Sequence, residues 1–431
     1  MFFPEAIQYL LSLGHETLVM KFGLENIEKL LGALGEPQKN YTAVQIAGTN
    51  GKGSTANFLH AICCAAEIHT ALYTSPHLVS VTERIRIGKR EISESEFARI
   101  ASVVRAASES LVADGSLQAP PTFFEQVTAI ALLAFSEARV QLAILETGLG
   151  GRLDATTAAH AETVAITPIA LDHQEYLGDT ITEISGEKAA IIRTGVDVVV
   201  GAQPREAMEA ILKRCEECDV APRFASYKVE VAGSDDSGRL RVSFETERAR
   251  YRNVLLGLRG RHQIENASIA IALAESLINK GFPISSEHII EGMENARHAG
   301  RLDLRKIGEH EVLFDGAHNV AGAKSLRAYM DEFIHAPITL IFGAMRDKDL
   351  LEIAAVLFPI AQHIILMQPQ NPRAATPETI LRATPTEIDR SKITLTQDFD
   401  EAFRIAQEKT TADELICVTG SLYLIGEALE R

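Results

Sequence analysis

No run of about 18 consecutive apolar residues occurs in the chain, so no membrane-spanning helix is expected. The start, MFFPEAIQYL, lacks a basic segment and a long apolar stretch, which argues against a signal peptide. Cysteine is scarce: there are five, with Cys63 and Cys64 adjacent and Cys215 and Cys218 forming a single CxxC among acidic residues. A disulfide framework needs a different pattern, and a structural zinc needs a second such pair or suitably spaced histidines. A reducing cytoplasm is the simplest home for such thiols. Positive charge is also short: 42 Lys and Arg face 58 Asp and Glu, a net charge of −16, which argues against a surface for duplex nucleic acid. An acidic total still leaves room for a small basic pocket that holds an anionic substrate. Internal repeats and low-complexity tracts are absent.

What is present describes a globular chain. Apolar residues make up 46% and charged residues 23% of its 431 positions, too many residues for one ordinary core, so two or three domains are expected. Apolar runs alternate with helical patterns. Strands are predicted at 43–47, 69–74, 141–146 and 162–167, with helices at 52–66, 123–138 and 181–192. That rhythm predicts a largely parallel sheet covered on both faces. Between Arg223 and Leu258 the pattern alternates apolar and polar residues around SDDSG, the signature of antiparallel hairpins. Helices at 263–279 and 286–296 follow. ARHAGRLD, Ala296 to Asp303, reads as a linker, and strands and helices then alternate again to the end. About 130 residues remain there, enough for a second, smaller α/β domain.

Four stretches carry chemistry. The first is VQIAGTNGKGSTANF, Val44 to Phe58. Three glycines after a strand let backbone N–H groups converge on an anion, the following helix points its positive end there, and Lys52 adds a mobile charge. The usual pattern, GxxxxGK[ST], has a longer spacing and a hydroxyl after the lysine, where this chain has Gly53. The second is LAILETGLGGRLDATT, in which Glu146 ends an apolar strand. Ligands of open α/β sheets bind beyond such strand ends. Glu146 can be a magnesium ligand, a base that orients water, or a structural cap. In the third, ITPIALDHQEYLGDTITEISGEKAAIIRTG, Asp172 and His173 follow a strand, and Lys188 has the pattern of a snorkelling surface lysine. In the fourth, LFDGAHNVAGA, a strand delivers Asp315 toward an interdomain cleft; there Asp315 and Asn319 serve equally well as turn and N-cap residues.

These stretches, in this order, resemble the folylpolyglutamate synthase/dihydrofolate synthase family of the Mur-ligase superfamily. The resemblance rests on GTNGKGS, TSPHL, TERIRI, TFFE, ETGLGGRLDAT, LDHQEYLGDTITEISGEKAAII, GRHQIENA, GRLD and FDGAHN, which span nearly the whole chain. It implies a large P-loop NTPase-like α/β domain over residues 1–297, with a mostly parallel sheet and a small antiparallel section. A smaller Rossmann-like α/β ligase domain over 298–431 would follow. It also implies an ATP-dependent ligase, a cytoplasmic monomer, that adds L-glutamate to reduced folates and to dihydropteroate through an acyl phosphate, with a strict folylpolyglutamate synthase lacking the dihydropteroate activity as the alternative.

The resemblance assigns roles residue by residue. Asn50, Gly51, Lys52, Gly53 and Ser54 would hold the ATP phosphates, with Asn266 on the adenine side and Arg301 and Asp315 reaching the phosphates and ribose. Two Mg2+ ions are implied, with Ser75, Glu146 and His173 as protein ligands. Lys188 would be carbamylated, turning a cation into an anion near the metal. Thr122, Phe123, Phe124, Glu125, Leu153, Asp154 and Ala155 would hold the pterin, with 20–27 as a further wall. Lys52, Lys188 and His318 would be catalytic, His318 as a candidate base for the glutamate amine, with a turn-stabilising role equally open. The partners are then small molecules, with neither nucleic acid nor membrane. Two other classes remain: a nucleotide-hydrolysing switch or transport ATPase, for which GRLDAT and DGAHN have no use, and a degenerate binding module, for which Lys52, Glu146 and His173 have none.

Overall fold

The computed structural model describes residues 1–14 and 23–431. Eight strands form the first sheet: β1 (Thr42–Ala47), β2 (Thr70–Tyr73), β3 (Ile85–Ile87), β4 (Arg90–Glu91), β5 (Leu142–Glu146), β6 (Thr163–Ile166), β7 (Asp197–Val200) and β8 (Pro222–Phe224). Their order is β4-β3-β2-β5-β1-β6-β7-β8, parallel from β2 to β8. Only the β2–β3 and β3–β4 pairings, at one edge, are antiparallel.

Alternate residues of the central strands enter two separate cores. Ala43, Ala143, Leu145 and Val164 pack on one side, beneath the helices Glu94–Ala113 and Phe123–Glu137. Val44, Ile144 and Ala165 pack on the other, beneath Lys52–Ala65 and His262–Asn279. Burial on both faces is why these strands read as continuous apolar runs such as LAILE.

β9 (Lys228–Ser234), β10 (Leu240–Glu245) and β11 (Arg250–Leu255) form the antiparallel excursion expected around SDDSG. Its start differs from the sequence reading. Residues 222–224, expected to open the hairpin region, instead pair parallel with β7 as β8, and the alternating pattern begins only at Lys228. The helix expected to run to Ile192 stops at Ala189, because Ile191 and Ile192 turn into the core.

The last sheet holds β12 (Asp303–Ile307), β13 (His310–Asp315), β14 (Ile338–Phe342), β15 (Ala361–Leu366), β16 (Ile393–Leu395) and β17 (Leu415–Thr419), in the order β12-β13-β17-β14-β15-β16. All neighbours are parallel except β12 with β13. Leu313, Leu340 and Cys417 face the helices Val320–Phe333 and Leu350–Leu357, while Phe314, Ile341 and Val418 face Phe399–Lys409 and Leu422–Leu429.

This topology places the chemistry. β1 lies between β5 and β6, so the chain leaves its carboxyl end at the point where strand order reverses, the usual ligand crevice of an open α/β sheet. The loop after β1, the end of β5 at Glu146, the segment after β6 with Asp172 and His173, and the turn after β2 with Ser75 share that edge. The carboxyl ends of β13, β14 and β17 line the same space from the second sheet, through Asp315, Met345 and Ser421.

Candidate active site

The loop after β1 accepts only glycine at its two ends. Gly48 has φ +148, and a Cβ there would lie 1.9 Å from Thr167 Oγ1; Gly51 has φ +88, and a Cβ would lie 2.1 Å from Asn266 Oδ1. Gly51 caps the helix Lys52–Ala65, whose first turn aims its free N–H groups at the cavity. The missing hydroxyl after the lysine has a steric reason. A Cβ on Gly53 would sit 3.2 Å from both Glu146 carboxylate oxygens and 2.7 Å from His298 Cε1. A longer side chain would compete with Glu146 for the same volume.

Lys52 folds over its own loop, donating to the carbonyls of Gly48 at 3.2 Å and Thr49 at 3.3 Å. Burial holds its amine below the ordinary lysine range, against the pull of Glu146 and Asp172. Glu146 accepts the backbone N–H of Ser75 at 3.2 Å. Burial raises its carboxyl above the usual range, opposed by Lys52, the Ser75 N–H and Arg301. His173 sits in the left-handed region at φ 53, and burial brings its imidazole down to about 3, with Asp172 acting the other way. It is therefore neutral near pH 7, the form that ligates metal.

Asp172 is the hub that joins the two sheets. Its side chain is 6% exposed and takes Lys348 Nζ at 2.6 Å, Asn319 Nδ2 at 3.0 Å and its neighbour's backbone N–H at 2.9 Å, with His318 Nε2 at 3.5 Å. Burial alone would raise its carboxyl; His318, His173 and Lys348 more than reverse that and hold it far below the carboxylate range. Asn319 N-caps the helix Val320–Phe333 through Oδ1, and its amide also reaches Asn50 of the loop after β1 at 3.1 Å. His318 Nδ1 meets the Gly316 carbonyl at 2.8 Å, a contact that requires its proton on that nitrogen.

Lys188 corrects the sequence pattern. It is buried rather than a snorkelling surface lysine, because its helix lies against the loop after β1, and Nζ donates to the Gly48 carbonyl at 2.8 Å. Burial, followed by the Lys52 charge, brings its amine down to about 7.

Two cavities meet here. A polar one of about 300 Å³ is lined by Asn50 to Ser54, Glu146, Lys188, Asn266, Arg301 and Asp315. A more apolar one of about 280 Å³ is lined by Thr122, Phe124, Glu125 and Leu153 to Ala155. Ser75, His173, His318 and Leu422 line both. Ser54 contacts His298 Nδ1 at 3.3 Å and Gln263 at 3.4 Å, and Asn266 donates to Gln263 at 2.9 Å. Arg301 donates to the Gly316 carbonyl at 3.2 Å. Both Asp315 oxygens take backbone N–H groups, from Leu302 at 2.9 Å and Ala317 at 3.0 Å.

In the apolar cavity Thr122 and Glu125 form the capping box of the helix they open. Asp154 spends its oxygens on the N–H groups of Gly148 at 2.8 Å, Leu149 at 2.9 Å and Thr156 at 3.0 Å, shaping the loop. Phe123 departs from expectation: it does not line the cavity but packs in the core with the Arg84 guanidinium 5.6 Å from its ring centre. The helical turn explains this, since adjacent residues point in different directions and only Phe124 faces the cavity. Of the expected wall at 20–27, Gly23 and Ile27 line the cavity, while 20–22 lie outside the described residues. Sequence reasoning missed Lys348, Arg373, His262 and His298. His298 lay in the linker as an isolated histidine, and Lys348 in MRDKDL carries no motif at all.

Among the described residues no group of three or more His, Cys, Asp or Glu is placed to hold a metal. Glu146, His173 and Ser75 nonetheless line one cavity. One carboxylate, one neutral imidazole and a hydroxyl fit a hard divalent cation that keeps other positions for water and phosphate oxygens.

Known proteins match this arrangement. Residues 46–274 correspond to the Mur ligase middle domain and 300–422 to the Mur ligase, glutamate ligase domain, which defines the class as ligases of the Mur type. The chain is 34% identical over 424 residues to the dihydrofolate synthase/folylpolyglutamate synthase of Bacillus subtilis strain 168, covering 97% of this chain and 96% of that one. A probable bifunctional folylpolyglutamate synthase/dihydropteroate synthase from Haloferax volcanii is 34% identical over 433 residues, 99% of this chain but 50% of that one, so this chain spans about half its length. Mycobacterium tuberculosis folylpolyglutamate synthase, complexed with ADP and AMPPCP, has a TM-score of 0.90 at 29% identity over 99% of this chain and 98% of that chain. A bifunctional folylpolyglutamate synthase/dihydrofolate synthase with Mn, AMPPNP and L-glutamate bound has a TM-score of 0.85 at 27% identity over 100% and 98%. The chain belongs to the folylpolyglutamate synthase/dihydrofolate synthase family and is an ATP-dependent ligase.

Proposed function

We propose that this chain joins L-glutamate in amide linkage to reduced folates and to dihydropteroate, with ATP first phosphorylating the acceptor carboxylate. One observation carries the reading: the phosphate cavity and the apolar cavity meet at Ser75, His173 and His318. ATP in the first and a pteridine in the second would bring γ-phosphate and carboxylate together at that junction.

A carboxylate is a poor acylating agent, and its phosphoric anhydride is a good one. The loop N–H groups of 50–54 and Lys52 would hold the phosphates and offset charge developing on the transferred group. Arg301 would reach the same charge from the second sheet. Ser75, Glu146 and His173 are the residues that would hold Mg2+, with two ions at the site. Bound there, magnesium would neutralise the phosphate oxygens and align them for transfer. Asn266 and Asp315 shape the nucleotide side. Thr122, Phe124, Glu125 and Leu153 to Ala155 would enclose the pteridine. His318, its Nδ1 fixed by Gly316, is the candidate to take the proton from the glutamate amine.

Carbamylation of Lys188 belongs to the same reading. An amine brought down to about 7 is substantially neutral at neutral pH, the form that adds CO2. The product would replace a cation beside Lys52 with an anion. The polypeptide divides into catalytic units at 1–297 and 298–431, with the site between them.

Oxygen-18 placed in the carboxylate of dihydropteroate tests the chemistry. An acyl phosphate leaves one labelled oxygen in the released phosphate; unlabelled phosphate alongside labelled amide product rules it out.

A further inference from the structure

The segment Ser75–Ser80 connects the two halves of the site, and its two ends are held by different sheets. At one end the Ser75 N–H donates to Glu146 at 3.2 Å. At the other, Leu78 leaves the first unit and packs against the second unit's core of Val312, Phe314, Leu424 and Ile425. The fit there is close. A Cβ on Gly426, in the helix Leu422–Leu429, would lie 2.1 Å from the Leu78 carbonyl oxygen, and one on Gly300 would lie 3.4 Å from Leu78 Cδ1.

Between these ends the segment is stiffened. The Glu83 carboxylate alone accepts three consecutive backbone N–H groups, Leu78 at 2.8 Å, Val79 at 2.8 Å and Ser80 at 2.6 Å. The buried Arg84 donates Nε to His77 Nδ1 at 2.8 Å, and its carbonyl accepts Thr74 N–H at 3.0 Å. A short segment clamped in this way moves as one piece. Such a segment can carry a displacement of Leu78 to Ser75.

We propose that Leu78 is a positioning residue that reports domain closure to the metal site: seated in the C-terminal core, it sets the Ser75 hydroxyl beside Glu146. The inference rests on Ser75 being a metal ligand, as proposed above. It makes metal affinity depend on a contact made in the second unit, so full metal binding and closure of the site occur together.

The test is a Mn2+ titration by electron paramagnetic resonance with AMPPNP present, on the full chain and on Leu78→Ala, Leu78→Met, Gly426→Ala and Ser75→Ala. Leu78→Ala and Gly426→Ala should weaken Mn2+ binding about tenfold or more, and Leu78→Met should restore most of it. Nucleotide affinity measured in chelator should stay within about threefold, since the phosphate loop is untouched. Gly426→Ala keeps Leu78 itself and favours its own helix, so it answers the question even if Leu78→Ala fails to fold. Wild-type Mn2+ affinity in Gly426→Ala and Leu78→Ala, with Ser75→Ala weakened, overturns the coupling and leaves the ligand assignment standing. Wild-type affinity in Ser75→Ala overturns the ligand assignment, and the coupling with it.

Discussion

Replacing Lys348 with methionine removes the charge that the second sheet presents to Asp172 while keeping most of the apolar stem. The pair is 2.6 Å apart with side chains 7% and 6% exposed. At an effective dielectric near 20 the gross attraction is about 6 kcal/mol, and desolvation of both groups offsets much of it. Stripping one partner from a buried pair costs about 3–5 kcal/mol. The lower end applies here, because Asp172 keeps Asn319 at 3.0 Å, a backbone N–H at 2.9 Å and His318 at 3.5 Å. The contact spans both sheets, so the loss falls on closure of the cleft rather than on either core. About 3 kcal/mol corresponds to about 150-fold in the closing equilibrium. Spin labels on the two units would read the interdomain distance, and kcat/KM for ATP would fall with the closed fraction. A cycle with Asp172→Asn isolates the pair. A coupling below about 0.5 kcal/mol, or an unchanged distance distribution in Lys348→Met, refutes the reasoning.

Three other outcomes are expected. Ser75→Ala should raise the Mg2+ concentration needed for half-maximal activity more than Ser54→Ala does, since Ser54 is occupied by His298 and Gln263; the reverse order contradicts the metal assignment. Lys188, brought down to about 7, should carry the added mass of CO2 in native mass spectrometry. Because only the neutral amine reacts, the adduct and the activity should decline together as pH falls below about 7 and recover with bicarbonate; an adduct that persists at pH 6 contradicts this. Gly148→Ala places a Cβ 2.6 Å from Phe124 Cζ and pushes that ring into the apolar cavity. Overpacking of about 1–3 kcal/mol should raise KM for the pteridine substrate about tenfold with KM for ATP unchanged; equal changes in both would place the fault elsewhere.

The parts visible in sequence are those with a local cause. Buried parallel strands are continuous apolar runs, so β5 and β6 were legible, and the glycines after β1 were legible because Gly48 and Gly51 hold positive φ in a tight turn. The antiparallel section was legible from its alternation, but β8 was not, because three residues without a pattern can join either sheet. The helix Glu94–Ala113 passed unread although Ser93 caps it and Phe97, Ile100, Ala101 and Val104 form its stripe; alanine carries much of that face and dilutes the signal. Phe123 and Phe124 look alike in sequence, and only the helical turn separates core from cavity. Lys188 looked like a surface lysine because its burial comes from a loop 140 residues away. Asp172 and Asn319 each lie in a quoted stretch, but their link to each other and to Lys348 exists only between two sheets.

The most direct measurement follows radiolabelled glutamate into product, with ATP and either dihydropteroate or a reduced folate, alongside phosphate release. A ligase that closes on all three substrates should release about one phosphate per amide formed and little when pteridine or glutamate is omitted. Phosphate release at the full rate without either acceptor or glutamate, with no labelled product, would make the chain a nucleotide hydrolase and contradict the reading of its site.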